Sequence, residues 1–241
     1  VQFHAVFAEF DLIVEGTLLT IALSLGAIVL GSLLAIVLVA LRSLGGRPAA
    51  LLVDAYVEVM RNTPFLIQLF MIFFGLPLMG VTMSGTTAAL LAMTLNLAAY
   101  ASEIIRAGVD SIHKSQLEAG MSLAMTRLQV FRYVILTPAF ARVWPALSSQ
   151  FVLMMLASSI CSFIAVRELS GNAAIIEQNT FRSFETYTIV TLVYLVLALA
   201  LKTGLMALGR RLFPNASGLA RISAKKGASA PAGSSIKGSA V

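Results

Sequence analysis

The sequence predicts an all-α integral membrane protein, a bundle of five transmembrane helices, and three observations predict it. Of its 241 residues, 59% are hydrophobic and 12% charged, about half the charged share of an ordinary soluble domain. The mean hydropathy is +0.91. Several apolar runs exceed the roughly 20 residues that cross a bilayer core, and short polar stretches separate them. The net charge of +6 comes without a basic patch interleaved with aromatics, so nucleic acid is not an expected partner. The excess positive charge sits in loops and tail, where the positive-inside rule puts it, and membrane lipid is the expected surrounding.

Residues 1–12 carry Glu9 and Asp11 and no Lys or Arg, so they lack the positive leading region of a signal peptide and read as an outside segment. The transmembrane domain covers 13–213. Its first span runs from Ile13 to Leu41, where Gly16, Thr20, Ser24, Ala27, Gly31 and Ala35 descend one face in steps of three and four. Such a stripe lets another helix approach closely, so packing rather than pore lining is the expectation. A basic loop with Arg42, Arg47 and Pro48 leads into a helix from Ala49 to Met79. Asp54 to Arg61 is too charged for the bilayer centre, and Pro64, which lacks a backbone donor, should bend the helix there. After an uncharged turn from Gly80 to Thr86, a third span covers Thr87 to Gly108, a fourth Pro138 to Ala165 and a fifth Tyr187 to Leu208.

Five spans place the two ends on opposite sides. Arg42 and Arg47, then Lys114, Arg127 and Arg132, then Arg210 and Arg211 share one side. The other side holds the acidic first residues, the neutral turn and the 166–186 loop, whose acids outnumber Arg167 and Arg182. The N-terminus is therefore expected outside and the C-terminus in the cytoplasm. Residues 214–241, rich in Ala, Gly and Ser with no acid, cannot bury a core and read as a disordered basic tail. Cys161 is the one cysteine, and His4 and His113 lie outside the spans, so neither a disulfide within the chain nor a metal site is expected.

Between the third and fourth spans, Ser115 to Phe140 is a polar, Arg-bearing interruption that reads as two short helices. Ser115-Gln116-Leu117-Glu118 and Thr126-Arg127-Leu128-Gln129 both have the capping-box form, so one helix should stop near Met125 and another begin at Thr126. Leu117, Gly120, Met121 and Ala124 share a face of the first helix at helical spacing. By periodicity, that ridge fits a docking surface and a connector resting on lipid equally well.

Glu118-Ala119-Gly120, with Ala124 and then Val134-Ile135-Leu136, resembles the Glu-Ala-Ala loop of ABC importer permeases. Here Gly120 replaces the second Ala, Ala124 replaces the Gly, and Pro138 falls one place later than in the family. Arg61-Asn-Thr-Pro64, Tyr100-x-x-Glu103-x-x-Arg106-Ala-Gly-x-x-Ser111-Ile112 and Thr180-Phe-Arg-x-Phe184-Glu-x-Tyr187 are similar to the polar amino acid branch of these permeases. The resemblance runs from Gly16 to Phe213. It implies a permease subunit of the bacterial inner membrane that carries a polar amino acid or an analogue such as an opine. It also implies that Leu117, Glu118, Ala119, Gly120, Met121 and Ala124 lie on a cytoplasmic coupling helix that enters a groove of a separate ATPase dimer. No Gly-rich phosphate loop is present, so ATP and Mg belong to that partner and no cofactor to this chain. A second permease subunit, identical or homologous, and a periplasmic solute-binding protein complete the implied assembly.

A polar side chain at membrane depth requires a partner or water. Asn96 and Gln150 are such residues, and Asn62, Thr63 and Pro64 flank the predicted bend. Gln150 lies in Pro145-Ala-Leu-Ser-Ser-Gln150-Phe151, where cationic amino acid relatives often carry Glu. The resemblance implies a substrate role for Asn96 and Gln150, and Asn62, Thr63 and Pro64 are expected with them on a substrate path or gate, whereas the residues alone also allow hydrogen bonds between helices. Glu103 and Arg106, three apart, pair and anchor the inner end of the third span. An intramembrane enzyme would need paired carboxylates or a histidine at depth. A channel or secondary transporter typically shows repeats or broken helices around an ion site, and no repeat is visible.

Overall fold

The computed structural model describes residues 3–214 except 113, 127–128, 131–132 and 135–136, and every regular element among them is a helix. The basic tail, Arg127 and Arg132 therefore fall outside the described residues. Four helices are long and apolar enough to cross a membrane, five if a pair of helices bent by 111° is counted as one span.

A short α1 (Phe3–Phe7) precedes α2 (Phe10–Leu44), whose 35 residues extend the first span at both ends. α5 (Gly85–Asp110) is the third span. The side chain of Ser84 caps it, accepting from Thr87 N–H at 3.1 Å. α2 and α5 run side by side in the same direction, with Gly26 against Leu90 and Gly31 against Leu97. Thr20, Ser24, Ala27 and Ala35 are all buried, so the small-residue stripe is a packing surface.

Between these two spans the chain departs from the helix expected there. The helix expected from Ala49 to Met79 with a bend is two helices, α3 (Gly46–Asn62) and α4, set at 111° to each other. α4 comprises Phe65–Phe70, a π-helical stretch Met71–Gly75 and a last turn Leu76–Leu78. Proline disfavours helical dihedrals in the residue before it, and Thr63 is extended at φ −116°, ψ 143°. Pro64 follows at φ −62°, ψ 137°, so two consecutive residues leave the helix and the axis turns sharply.

α6 (Lys114–Ser122) is the first loop helix. It starts ahead of Ser115, which is therefore not its N-cap. Ala124 adopts φ 56°, and Met125 N–H bonds Gly120 O at 3.3 Å, closing the helix in a Schellman turn. The second capping box is present: Thr126 N–H donates to Gln129 Oε1 at 2.8 Å, and Gln129 N–H to Thr126 Oγ1 at 3.3 Å.

α7 (Thr137–Ala157) continues as a 3₁₀ helix, Ser158–Ile164. Ser158, Ser159 and Ser162 each bond the carbonyl three residues back, the local pattern expected of hydroxyls in this span. The 166–186 segment is not a plain loop. It holds α8 (Leu169–Thr180), with Leu169, Asn172, Ala173 and Ile176 buried. Alternating small and polar residues hid this helix, because its apolar face is narrow. α9 (Ser183–Leu212) is the last span, and only 6% of its apolar window is buried within the chain. Trp144 fixes its C-terminal end, donating from Nε1 to Leu205 O at 2.9 Å where Gly209 leaves room.

Candidate translocation site and coupling helix

The break between α3 and α4 leaves carbonyls at the end of α3 without helical partners. Gln68 supplies one: its Nε2 donates to Met60 O at 2.8 Å, Thr63 O at 3.1 Å and Thr63 Oγ1 at 2.8 Å. Its Oε1 accepts from Asn96 Nδ2 at 2.9 Å. Asn96 lies near the middle of α5, so this bond sets the break at mid-span depth. Asn62, Thr63 and Pro64 are exposed there, while Asn96 is 6% exposed and stands behind them. Sequence reasoning missed Gln68, although a lone amide in the apolar run Phe65 to Phe74 was a visible signal.

Gln150 lies near the middle of the fourth span, half-buried beside exposed Ser149, and its side chain makes no hydrogen bond among the described residues. No bond joins it to Asn96. Exposed polar groups at the depth of Asn62 and Thr63 are unfavourable against lipid and suit water or another subunit.

Around the C-terminal parts of α2, α3 and α5 lies a network of charges. Arg106 pairs with Glu103 through two nitrogens, Nε to Oε2 at 3.1 Å, and with Asp110 at 3.2 Å. Arg61 lies 3.8 Å from Glu103 and stacks 5.6 Å from the centre of the Tyr100 ring. Tyr100 Oη donates to Arg61 O at 3.4 Å. Arg42 on α2 pairs with Asp54 on α3. Glu103 and Arg106 thus pair as expected, and Arg61 extends the pair to α3.

On α6, Gly120 is buried: an added Cβ would meet Val130 at 3.2 Å and Val134 at 3.4 Å. It faces the chain's own next segment, so it is not part of an outward ridge. The outward face carries Glu118, Ala119, Met121 (55% exposed), Leu123 (77%) and Ala124. The side chain of Leu117 lies outside the described ones.

A second buried polar cluster, not expected from the sequence, sits where α8 begins. Glu168, 0% exposed, caps α8 by accepting from Gly171 N–H at 2.8 Å. Its Oε2 accepts from Tyr194 Oη at 2.6 Å and from Thr20 Oγ1 at 3.4 Å, joining α2, α8 and α9. Burial pushes this carboxyl above its ordinary range, against the hydrogen bonds that lower it. No group of three or more His, Cys, Asp or Glu suited to a metal occurs among the described residues.

A helical membrane bundle with a sharp break between its first and third spans, exposed polar residues at that break and a short helix on the loop after the third span has the architecture of a transport permease. Residues 27–214 match the model of binding-protein-dependent transport system inner membrane components, and the chain belongs to that family. The probable glutamine ABC transporter permease protein GlnM of Bacillus subtilis is 34% identical over 206 residues, 86% of this chain and 95% of the relative. The glutamine transport system permease protein GlnP of Escherichia coli is 32% identical over 88% of this chain and 97% of its own. The arginine transport system permease protein ArtQ of Bacillus subtilis is 33% identical over 89% and 98%. Among solved structures, an amino acid ABC transporter with histidines superposes at a TM-score of 0.81, with 34% identity, covering 88% of this chain and 99% of that one. The methionine ABC transporter MetNI, at 21% identity and a TM-score of 0.69, shares the fold. The chain is a membrane permease subunit, and ATP hydrolysis lies on a partner.

Proposed function

We propose that this chain is the permease of an ATP-driven importer of a polar amino acid or analogue. The observation that carries it is the break at mid-span, where Asn62, Thr63 and Pro64 are exposed, on a chain whose relatives are named for glutamine and arginine. One copy of this bundle encloses no sealed path, which calls for a second permease subunit, identical or homologous. The exposed side of α6 docks on a cytoplasmic ATPase dimer that holds ATP and Mg, and a periplasmic binding protein delivers substrate to the outer face. The loop charges put the N-terminus outside and the C-terminus in the cytoplasm. A cysteine at Ser183 should react with an impermeant thiol reagent from outside, and one at Ser223 should not; reversed labelling overturns that orientation.

Gln150 carries an amide, which cannot neutralise a cationic side chain. The path therefore favours a substrate without net positive charge. The test is uptake by the complete complex in proteoliposomes, driven by ATP and resistant to proton uncouplers, with glutamine and arginine compared before and after Gln150→Glu. Uptake that follows the proton gradient instead sinks the importer reading in favour of a secondary transporter. Unchanged relative uptake in Gln150→Glu removes Gln150 from the path.

A further inference from the structure

Resting on the importer reading, we infer that Gln68 and Asn96 are positioning residues for translocation. Their hydrogen bond fastens the break at Asn62–Pro64 to α5, so that displacement of the coupling helix reaches the substrate path through it. α5 ends at Asp110 and α6 begins at Lys114, so whatever moves α6 pulls on the inner end of α5. α5 is the most enclosed of the spans, 67% buried over its apolar window, and behaves as a rod. The soft point is the break, where Thr63 and Pro64 have extended dihedrals and exposed side chains.

Two links join the rod to that soft point, one on each side of it. Below, Arg61 is held by Glu103 and by the face and hydroxyl of Tyr100. Above, Asn96 holds Gln68, and Gln68 in turn holds Met60 and Thr63. A cap for α3 would need only the bonds to Met60 and Thr63. The further bond to Asn96 does not serve the cap; it makes the end of α3 and the start of α4 follow α5. Gln68 is 8% exposed, so water does not substitute readily for either bond.

The experiment uses the complete importer with its ATPase and binding protein, in proteoliposomes. ATP hydrolysed per substrate moved is measured for wild type, Asn96→Leu, Gln68→Met and the double variant, together with thermal unfolding of each complex. A cysteine at Ile67, exposed beside the break and outside its side-chain hydrogen bonds, in an otherwise unchanged chain reports the break by its reactivity with and without ATP; native Cys161 is buried. We expect ATP to change Ile67→Cys reactivity, and either single variant to abolish that change. Each should raise the ATP used per substrate by about two- to thirtyfold, the span of measured coupling energies, and the double variant should be no worse than the poorer single one. Reactivity indifferent to ATP in the unchanged background overturns the inference, and this arm stands even where a variant fails to assemble. Assembled variants that keep the wild-type ratio, or that add independently in the double, also overturn it. Absence of ATP-driven uptake in wild type is a different outcome and overturns the importer reading itself.

Discussion

Gly16 is the point where α2 touches the backbone of the segment leading into α8, and Gly16→Ala measures that contact. A Cβ there would lie 2.8 Å from Leu169 Cα and 3.1 Å from the carbonyl carbon and oxygen of Glu168. Carbon atoms settle at about 3.5–4.0 Å, and neither helix backbone can rotate away as a side chain would, so the two must part by roughly 1 Å. One turn along α2, Thr20 Oγ1 accepts from Leu169 N–H at 3.1 Å and reaches Glu168 at 3.4 Å. Parting the helices lengthens both bonds beyond range and strands a buried N–H, which costs about 1–3 kcal/mol. Overpacking against a fully buried neighbour adds about 1–3 kcal/mol. Alanine's better helix propensity returns up to ~1 kcal/mol. The net loss is about 1–5 kcal/mol, or a fall of roughly 2–20 °C in melting temperature for a chain of this size. Gly204→Ala is the control, because nothing lies within 4 Å of its Cβ position and only the propensity gain remains. Cys161, the single and buried cysteine, reports unfolding through a thiol-reactive dye in detergent. Equal melting temperatures for the two variants would refute the reasoning.

Met121→Asp, on the exposed face of α6, should release the ATPase without lowering the melting temperature, whereas Gly120→Trp should lower both by forcing apart Gly120 and Val130. Co-purification with the ATPase and thermal unfolding separate the two, and identical behaviour would mean that α6 has no outward docking face. Ala124→Gly should stabilise the Schellman turn by about 0.5–1 kcal/mol, since φ 56° strains alanine and not glycine; slower amide exchange across 119–125 checks it, and faster exchange counts against it. Glu168 has its carboxyl raised by burial, so its stabilising contribution is complete below the unfolded value of about 4.3 and declines as pH rises through the folded one. Glu168→Gln should therefore flatten the fall in melting temperature with rising pH, and parallel profiles would place that fall elsewhere.

The spans were legible in the sequence because lipid imposes a one-dimensional rule: enough apolar residues in a row make a helix that crosses. Composition therefore determined the fold class, the stripe from Gly16 to Ala35, the Thr126–Gln129 box and the Glu103–Arg106 pair, all of which depend on neighbours within one helix or on small size alone. The tertiary structure decided what depends on contacts distant in sequence. Proline marked a bend at Pro64, but the 111° break is held by Gln68 reaching back to Met60 and across to Asn96. Gly120 lay on the expected helix, yet its direction was set by where Val130 and Val134 fold back. Glu168 looked like one more loop acid until Thr20 and Tyr194, 148 and 26 residues away, enclosed it. Periodicity fixes which residues share a face; only packing decides what that face meets.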